Sequence, residues 1–235
     1  MDVSNPAHAG QAVYTERVLK SYDAVVLRMS SSFIWRCPAD HILRHYDRHV
    51  GGTHLDIGPG TGYFLDRCRF PVHEPGITLL DPNLTVLQHA AARIARYRPD
   101  TRQGDALAPI ELQDRSYASV GMSYLLHCLP GDIAAKTVAL DHVLPLLAPG
   151  GVVFGTTILG DPELHTGVGQ RLMALYNRKG IFSNDDDTRA DLDLALAKRF
   201  PRYELEVVGA VALFAGWLDE DSETPADWPA RSATG

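Results

Sequence analysis

Short apolar runs alternate with longer amphipathic segments between residues 51 and 160, and this alternation restricts the fold more than any other feature of the chain. Runs such as "THLDIG" and "GITLLD" have the length of buried strands, whereas "LTVLQHAAARIARYR" carries apolar residues at helical spacing. Strands that alternate with helices form a mostly parallel sheet with helices on both faces. The sequence therefore predicts an α/β fold in three layers.

The segments on either side of this region have other patterns. Residues 11–30 carry apolar residues at helical spacing, and a second helix is predicted from Pro38, near its first turn, to the stop signal at Gly51 and Gly52. Further helices are predicted near 164–178 and 185–199. The runs "RYELEVV" and "AVALFAGW" flank Gly209, which predicts an antiparallel hairpin at one edge of the sheet.

These patterns divide the chain into three parts. The predicted parts are an N-terminal helical segment (1–50), an α/β domain (51–217) with a helical insertion at 160–200, and an acidic, disordered tail (218–235).

Composition excludes several classes of partner. The net charge of −7 leaves no basic surplus to meet a phosphate backbone, so nucleic acid is excluded as partner or substrate. No apolar run has the roughly 20 residues that a membrane span needs, and the N-terminus lacks a signal-peptide pattern, so we expect a cytoplasmic protein without a membrane partner. The three cysteines have no metal-ligand spacing and are expected to be reduced.

The loop "HLDIGPGTGYF" follows the first predicted strand and opens the next helix. Ligands of open parallel sheets bind at the carboxyl ends of the strands, where glycines allow the backbone to approach them. A dinucleotide dehydrogenase would need a third small residue where Tyr63 stands. The observed pattern has Asp56 two residues ahead of the alternating Gly58, Gly60 and Gly62.

This spacing resembles motif I of the class I S-adenosylmethionine-dependent methyltransferases, and the resemblance runs from about residue 51 to 160. It extends to Asp81 in "ITLLDPN", to Asp105 in "TRQGDALAP", and to the segments "SYLLHCLP" and "LLAPGGVVF". The resemblance implies a Rossmann-like, mostly parallel seven-stranded sheet that ends in the antiparallel hairpin. It also implies S-adenosylmethionine as cofactor, with S-adenosylhomocysteine as product.

The resemblance implies a set of cofactor contacts as well. Asp81 matches the acid that binds both ribose hydroxyls, and Asp105 matches the acid that meets the adenine amino group. Carboxylates suit both tasks, because they accept charge-assisted hydrogen bonds from hydroxyl and amino groups. The full set is Asp56, Gly58, Pro59, Gly60, Gly62, Asp81, Pro82, Asp105, Ala106 and Ser123.

Structural roles for the same acids stay open. Asp81 precedes a predicted helix and is also typical of a helix cap, and Asp105 is also typical of a turn. Ala118 departs from the family pattern, because many relatives have an acid at the start of strand four.

His127 follows the fourth predicted strand, near the transferred methyl group in the fold that the resemblance implies. A neutral imidazole is suited to take a proton from a hydroxyl or ring nitrogen, so His127 is the candidate catalytic base. The alternative is a structural residue in the pocket wall. No metal site is predicted, because Asp185, Asp186 and Asp187 stand at a predicted helix start, where acids favour the helix dipole.

Aromatic residues outside the core of the domain are candidates for the acceptor chamber. In the family that the chain resembles, such segments cover the methyl group, so residues 1–50 and 160–200 are expected to form a lid. The candidate substrate-binding residues are Tyr14, Tyr22, Trp35, Tyr176 and Asn177. Aromatic residues at helical spacing are also typical of core packing, and this alternative stays open for them.

The function predicted from the sequence is methyl transfer to oxygen or nitrogen of a small molecule, by a monomer or homodimer. Two alternatives remain. One is an enzyme of secondary metabolism that uses the cationic cofactor electrostatically in a cyclisation or rearrangement, and the other is a non-catalytic cofactor-binding partner protein.

Overall fold

A computed structural model describes residues 31–112 and 116–219, which form an α/β fold around a seven-stranded sheet. The strands are β1 (Thr53–Ile57), β2 (Gly76–Asp81), β3 (Asp100–Gln103), β4 (Tyr117–Ser123), β5 (Leu147–Ile158), β6 (Arg202–Val208) and β7 (Val211–Trp217). The helices are α1 (Ala39–His49), α2 (Tyr63–Arg67), α3 (Leu84–Arg93), α4 (Ile133–Lys136), α5 (Val138–Val143), α6 (Gly167–Arg178) and α7 (Arg189–Ala197).

The strand order in the sheet is β3-β2-β1-β4-β5-β7-β6. Strands β1 to β5 pair in parallel, whereas β7 pairs antiparallel with both β5 and β6. This confirms the predicted fold class, including the C-terminal hairpin. The order reverses between β1 and β4, and such a switch point is where ligands of open α/β sheets bind.

The central strands of the sheet are buried on both faces, whereas β3 at one edge is exposed. Successive residues of a strand point to opposite faces, so Val153 on β5 packs in one buried cluster and Phe154 in another. The second cluster also contains Ile42 and Tyr46 of α1. Helix α1 therefore shares its core with the domain that was predicted to begin at residue 51.

The region between β4 and β5 differs from the prediction. The segment "DIAAKTVALDHVLPLLA" was expected to be one helix, but it forms α4, α5 and a short 3-10 turn at Leu144–Leu146. The Thr137 hydroxyl donates to the Ile133 carbonyl at 2.7 Å at the junction of the two helices, and Pro145 lies in the turn. Strand β5 begins at Leu147, earlier than predicted, and includes the "APGG" stretch.

The acidic run at residues 185–187 also differs from the prediction. Thr188 caps α7 by accepting a hydrogen bond from the Asp191 backbone N–H. Asp187 is fully buried and forms an ion pair with Lys136. Asp187 therefore stands next to the helix start, but its carboxylate pairs with Lys136 and does not cap the helix as predicted.

Some predictions fall on residues that the structure does not describe. These are the helix at 11–30, the candidate substrate contacts Tyr14 and Tyr22, and the tail from residue 220 onward. Within the described ranges, none of the helices has both the length and the apolar character needed to cross a membrane.

Candidate active site

The glycine loop between β1 and α2 is built from left-handed backbone. Gly58, Gly60 and Gly62 have φ values of 67°, 55° and 72°, a region that residues with a Cβ seldom adopt. A Cβ at Gly60 would meet no atom within 4 Å, whereas a Cβ at Gly62 would lie 3.2 Å from the Ala90 backbone. Gly60 thus leaves open space for a ligand, and Gly62 allows α2 and α3 to pack closely.

The larger of two adjoining cavities lies outside the carboxyl ends of β1, β2 and β4. The predicted contacts that line this cavity are Gly58, Gly60, Asp81, Pro82, Asp105 and Ala106. Apolar walls come from Val86, Leu129 and Ile181. Two acids within an apolar enclosure suit a flat, hydroxylated group such as adenosine.

The smaller cavity lies on the other side of the loop. The predicted contacts that line it are Asp56, Gly58, Pro59, Gly60 and Ser123. Tyr46 and Tyr63 add two phenol groups. Gly62 lines neither cavity, which agrees with its packing role.

Asp81 and Asp105 each use one carboxylate oxygen within the chain. Asp81 Oδ1 accepts from the Asn83 backbone N–H at 2.7 Å, and Asp105 Oδ1 accepts from the Leu107 N–H at 2.9 Å. The cap of α3 is the Asn83 side chain, so Asp81 is not the cap. Burial raises the pKa of Asp81 to about 6, because the carboxylate loses solvation.

Tyr124 lines both cavities, directly after β4. Its backbone is left-handed, with φ of 58°, and its N–H donates to the Thr156 carbonyl at 2.7 Å. Strained backbone of this kind persists only where the surroundings hold it, and it is frequent at functional sites. The tyrosine ring is thereby fixed where the two cavities meet.

An aromatic cluster connects Tyr124 to the segment after α6. The His127 ring lies edge-on to Tyr124, with centroids 5.8 Å apart, and to Phe182, with centroids 4.6 Å apart. Phe182 also contacts Tyr176 and Trp35, at centroid distances of 4.9 and 6.0 Å. Trp35 is buried and lines neither cavity, and the half-buried Tyr176 lines neither cavity either.

His127 is an interior residue, with 3% of its surface exposed. Its Nδ1 lies 3.4 Å from the Ile158 backbone nitrogen and 3.4 Å from the Thr157 hydroxyl. Burial and the nearby Lys136 ammonium lower its pKa to about 3. The ring is therefore neutral near pH 7, and its role as a base stays a prediction.

The segment between α6 and α7 is fixed by buried polar contacts. Asn177 and Asn184 form a reciprocal pair, with Asn177 Nδ2 donating to Asn184 Oδ1 at 3.0 Å and the Asn184 backbone N–H donating to Asn177 Oδ1 at 2.9 Å. The Ser183 N–H donates to the His127 carbonyl at 2.9 Å. These contacts place Ile181 in the wall of the larger cavity. Both polar atoms of the Asn177 amide thus form hydrogen bonds with Asn184.

The described residues fit an adenosyl amino acid. Ser123 is 8% exposed, and among residues 31–112 and 116–219 its hydroxyl has no partner at ordinary hydrogen-bond geometry, although it approaches the Tyr46 phenol. A buried hydroxyl of this kind is suited to a polar ligand group. The open space at Gly60 and the two acids of the larger cavity point to the same ligand.

The fold and the paired cavities are those of a nucleotide-binding protein of the open α/β class. A family model described as a methyltransferase domain matches residues 55–153. Demethylluteothin O-methyltransferase of Streptomyces thioluteus is 42% identical over 90% of this chain and 92% of its own length. The physcion biosynthesis cluster O-methyltransferase of Aspergillus chevalieri is 35% identical over 89% of this chain and 95% of its own length.

Among solved structures, the complex of DhpI with S-adenosylhomocysteine superposes with a TM-score of 0.65 at 18% identity, covering 92% of this chain and 98% of that chain. The chain belongs to the class I S-adenosylmethionine-dependent methyltransferases. Its cofactor is S-adenosylmethionine. When bound, this cofactor supplies a methyl group on a cationic sulfur.

Sequence reasoning did not identify the three tyrosines that line the cavities. Tyr46 lies on the helix predicted between Pro38 and Gly51, where no role was assigned to it, and Tyr63 stood out only as a departure from the dehydrogenase pattern. Tyr124 was part of the resembling segment "SYLLHCLP", but a left-handed tyrosine has no sequence signal.

Proposed function

We propose that this methyltransferase acts on an oxygen or nitrogen atom of a small molecule, and that oxygen is the principal acceptor. The observation that carries the proposal is the 42% identity to an O-methyltransferase over nearly the whole of both chains. The second relative is also named for oxygen transfer. Both names favour methyl transfer over a cyclisation or a non-catalytic role.

The placement of the cavities supports a small acceptor. The adenosine part and the amino acid part of the cofactor suit the larger and the smaller cavity, so the sulfur that joins them belongs where the cavities meet, beside Gly58 and Tyr124. Ile181 lines the larger cavity, and the His127 ring packs edge-on against Tyr124. A pocket bounded by apolar and aromatic groups suits a flat organic molecule.

The chain's own residues contribute mainly by positioning. Methyl transfer is an in-line displacement, and holding the reacting atoms about 3–3.5 Å apart supplies roughly 7–11 kcal/mol of the barrier. The rigid neighbours of the junction suit this task, because Tyr124 is held by backbone hydrogen bonds and by the His127 ring. We assign His127 a positioning role through these contacts, with its role as base as the alternative.

A transfer assay with ¹³C-methyl-labelled cofactor tests the proposal. Matched pairs of flat acceptors, each offering a hydroxyl or an amine on the same ring, are incubated with the enzyme, and the product methyl carbon is observed by NMR. We expect O-methyl signals from the hydroxyl acceptors. Signals from the amines alone would assign nitrogen, and turnover of the cofactor without a methylated acceptor would contradict the proposal.

A further inference from the structure

A row of buried polar side chains lies beneath the smaller cavity. The Tyr46 hydroxyl lies 3.0 Å from Asp56 Oδ2, and His54 Nε2 lies 3.2 Å from the same oxygen. His54 Nδ1 lies 2.8 Å from the Ser119 hydroxyl, which accepts from the Gly51 backbone N–H at 2.7 Å. His54, Asp56 and Ser119 are at most 2% exposed.

The hydrogen-bond directions in this row follow from the chemistry of the groups. The Asp56 carboxylate only accepts, so His54 must carry its proton on Nε2 to donate to it. His54 Nδ1 then accepts from the Ser119 hydroxyl, whose oxygen in turn accepts from Gly51. Tyr46 also donates to Asp56. Tyr46 and His54 therefore donate to the carboxylate itself, while Ser119 and Gly51 donate further along the row and orient the His54 ring.

Both donors converge on the same carboxylate oxygen, Oδ2. The other oxygen, Oδ1, takes part in neither bond, and Asp56 lines the smaller cavity. Within residues 31–112 and 116–219, no lysine or arginine forms an ion pair with Asp56. A buried carboxylate that is held by donors, and that no cation of the described residues neutralises, is suited to a cationic ligand group.

The Ser123 hydroxyl is a second, independent pointer to a ligand. It is buried in the wall of the same cavity, and among the described residues it approaches only the Tyr46 phenol, without reaching ordinary hydrogen-bond geometry. The cavity thus offers a fixed carboxylate and an unsatisfied hydroxyl beside each other. An ammonium group with its adjoining carboxylate, as in an amino acid, matches this pair of groups.

We propose that Tyr46, His54 and Ser119 form a positioning network that aims Asp56 at the ammonium group of the cofactor's methionine part. Tyr46 lies on α1, outside the residues 55–153 that match the methyltransferase domain model, so this helix completes the cofactor site. The inference rests on the cofactor class and is independent of the acceptor atom.

Calorimetric titration with two ligands tests the network. The ligands are S-adenosylhomocysteine and its deamino analogue, in which hydrogen replaces the amino group. Wild-type protein should bind S-adenosylhomocysteine about ten-fold or more tightly than the analogue, because a hydrogen-bonded charged group is lost. In Tyr46→Phe this preference should fall to about two- or three-fold.

Tyr117→Phe is the matched control. The Tyr117 phenol is also buried and donates to the Thr78 hydroxyl at 3.0 Å, but Tyr117 lines neither cavity of the cofactor site. This variant should keep the wild-type preference. A wild-type protein that binds both ligands equally would overturn the proposal without any variant, and so would a Tyr46→Phe variant with unchanged preference. Failure of the acceptor assay above would leave these binding results unaffected.

Discussion

Lys136 Nζ and Asp187 Oδ2 lie 2.5 Å apart, and both side chains are completely buried. Lys136 on α4 also donates to the Ser183 carbonyl, so the pair joins the core of the domain to the segment that carries Ile181 and Phe182. Burial raises the pKa of Asp187 to about 6 and lowers that of Lys136, while the ion pair opposes both shifts. This pair fixes one wall of the cofactor cavity.

Lys136→Met should lower the free energy of unfolding by about 3–5 kcal/mol, because it leaves Asp187 buried without its counter-charge. The double variant Lys136→Met/Asp187→Leu should recover most of that loss, since a buried ion pair is often replaced by apolar residues at small cost. Urea unfolding of both variants measures this. Equal destabilisation in the single and the double variant would show that the charge is not the cause.

The pH dependence of cofactor binding should follow Asp81. Its pKa of about 6 in the free protein means that it is ionised at pH 7.5 and mostly protonated at pH 5. Only the ionised form accepts hydrogen bonds from both ribose hydroxyls, so affinity for S-adenosylhomocysteine should fall about ten-fold from pH 7.5 to pH 5. Asp81→Asn should bind weakly with little pH dependence. An equally steep pH profile in this variant would assign the effect to another group.

The variant His127→Gln distinguishes a structural role of His127 from a role as general base. If the ring only positions Tyr124 and Phe182, kcat should remain within about ten-fold of wild type, whereas loss of a general base costs about 10²–10⁴-fold. Steady-state rates between pH 6 and 9 measure this. A large loss of kcat at an unchanged melting temperature would establish His127 as the base.

The same variant should change the pH dependence of stability. The pKa of His127 falls from 6.5 to about 3 on folding, so the unfolded chain binds a proton that the folded chain does not. The contribution of the neutral His127 ring to the free energy of unfolding is fully present above about pH 6.5 and is lost as the pH falls toward 3. Unfolding free energies measured at pH 7 and pH 4.5 should therefore differ less in His127→Gln than in wild type. If the two proteins showed the same difference between pH 7 and pH 4.5, this pH dependence would not come from His127.

Gly60→Ala and Gly62→Ala should separate binding from packing. Both residues have positive φ, so both variants carry a similar backbone strain of about 1–3 kcal/mol. The added Cβ at Gly62 also meets the Ala90 backbone at 3.2 Å, so this variant should be the less stable one in thermal unfolding. Gly60→Ala should instead show the larger loss of S-adenosylhomocysteine affinity. The reverse order in both measurements would contradict the roles assigned to the two glycines.

The sequence predicted the sheet and its hairpin, because buried strands and amphipathic helices have distinct periods. Acids at strand ends, such as Asp81 and Asp105, were also placed at one edge of the sheet, since parallel strands end together. These predictions depend on local patterns. The helix between β4 and β5 was misjudged because a Thr137 side-chain bond and a proline turn divide an otherwise periodic segment.

The pairing of distant side chains was beyond sequence reasoning. Asp187 in an acidic run looked like a helix-start residue, because nothing local indicates that Lys136 would be buried opposite it. Tyr46 and Asp56 are ten positions apart on different elements, and only the packing of α1 on the sheet brings them together. Trp35 was predicted to contact the substrate because aromatic residues are common in pockets, but its ring packs against His165 and Phe182 in the interior.

A crystal structure of the complex with S-adenosylhomocysteine tests most directly whether the two cavities hold one cofactor. The ribose hydroxyls are expected within hydrogen-bond distance of Asp81, the adenine beside Asp105, and the ammonium group beside Asp56 and Ser123. A nucleoside whose ribose lies away from Asp81, or whose amino acid part leaves the smaller cavity empty, would contradict this assignment of the site.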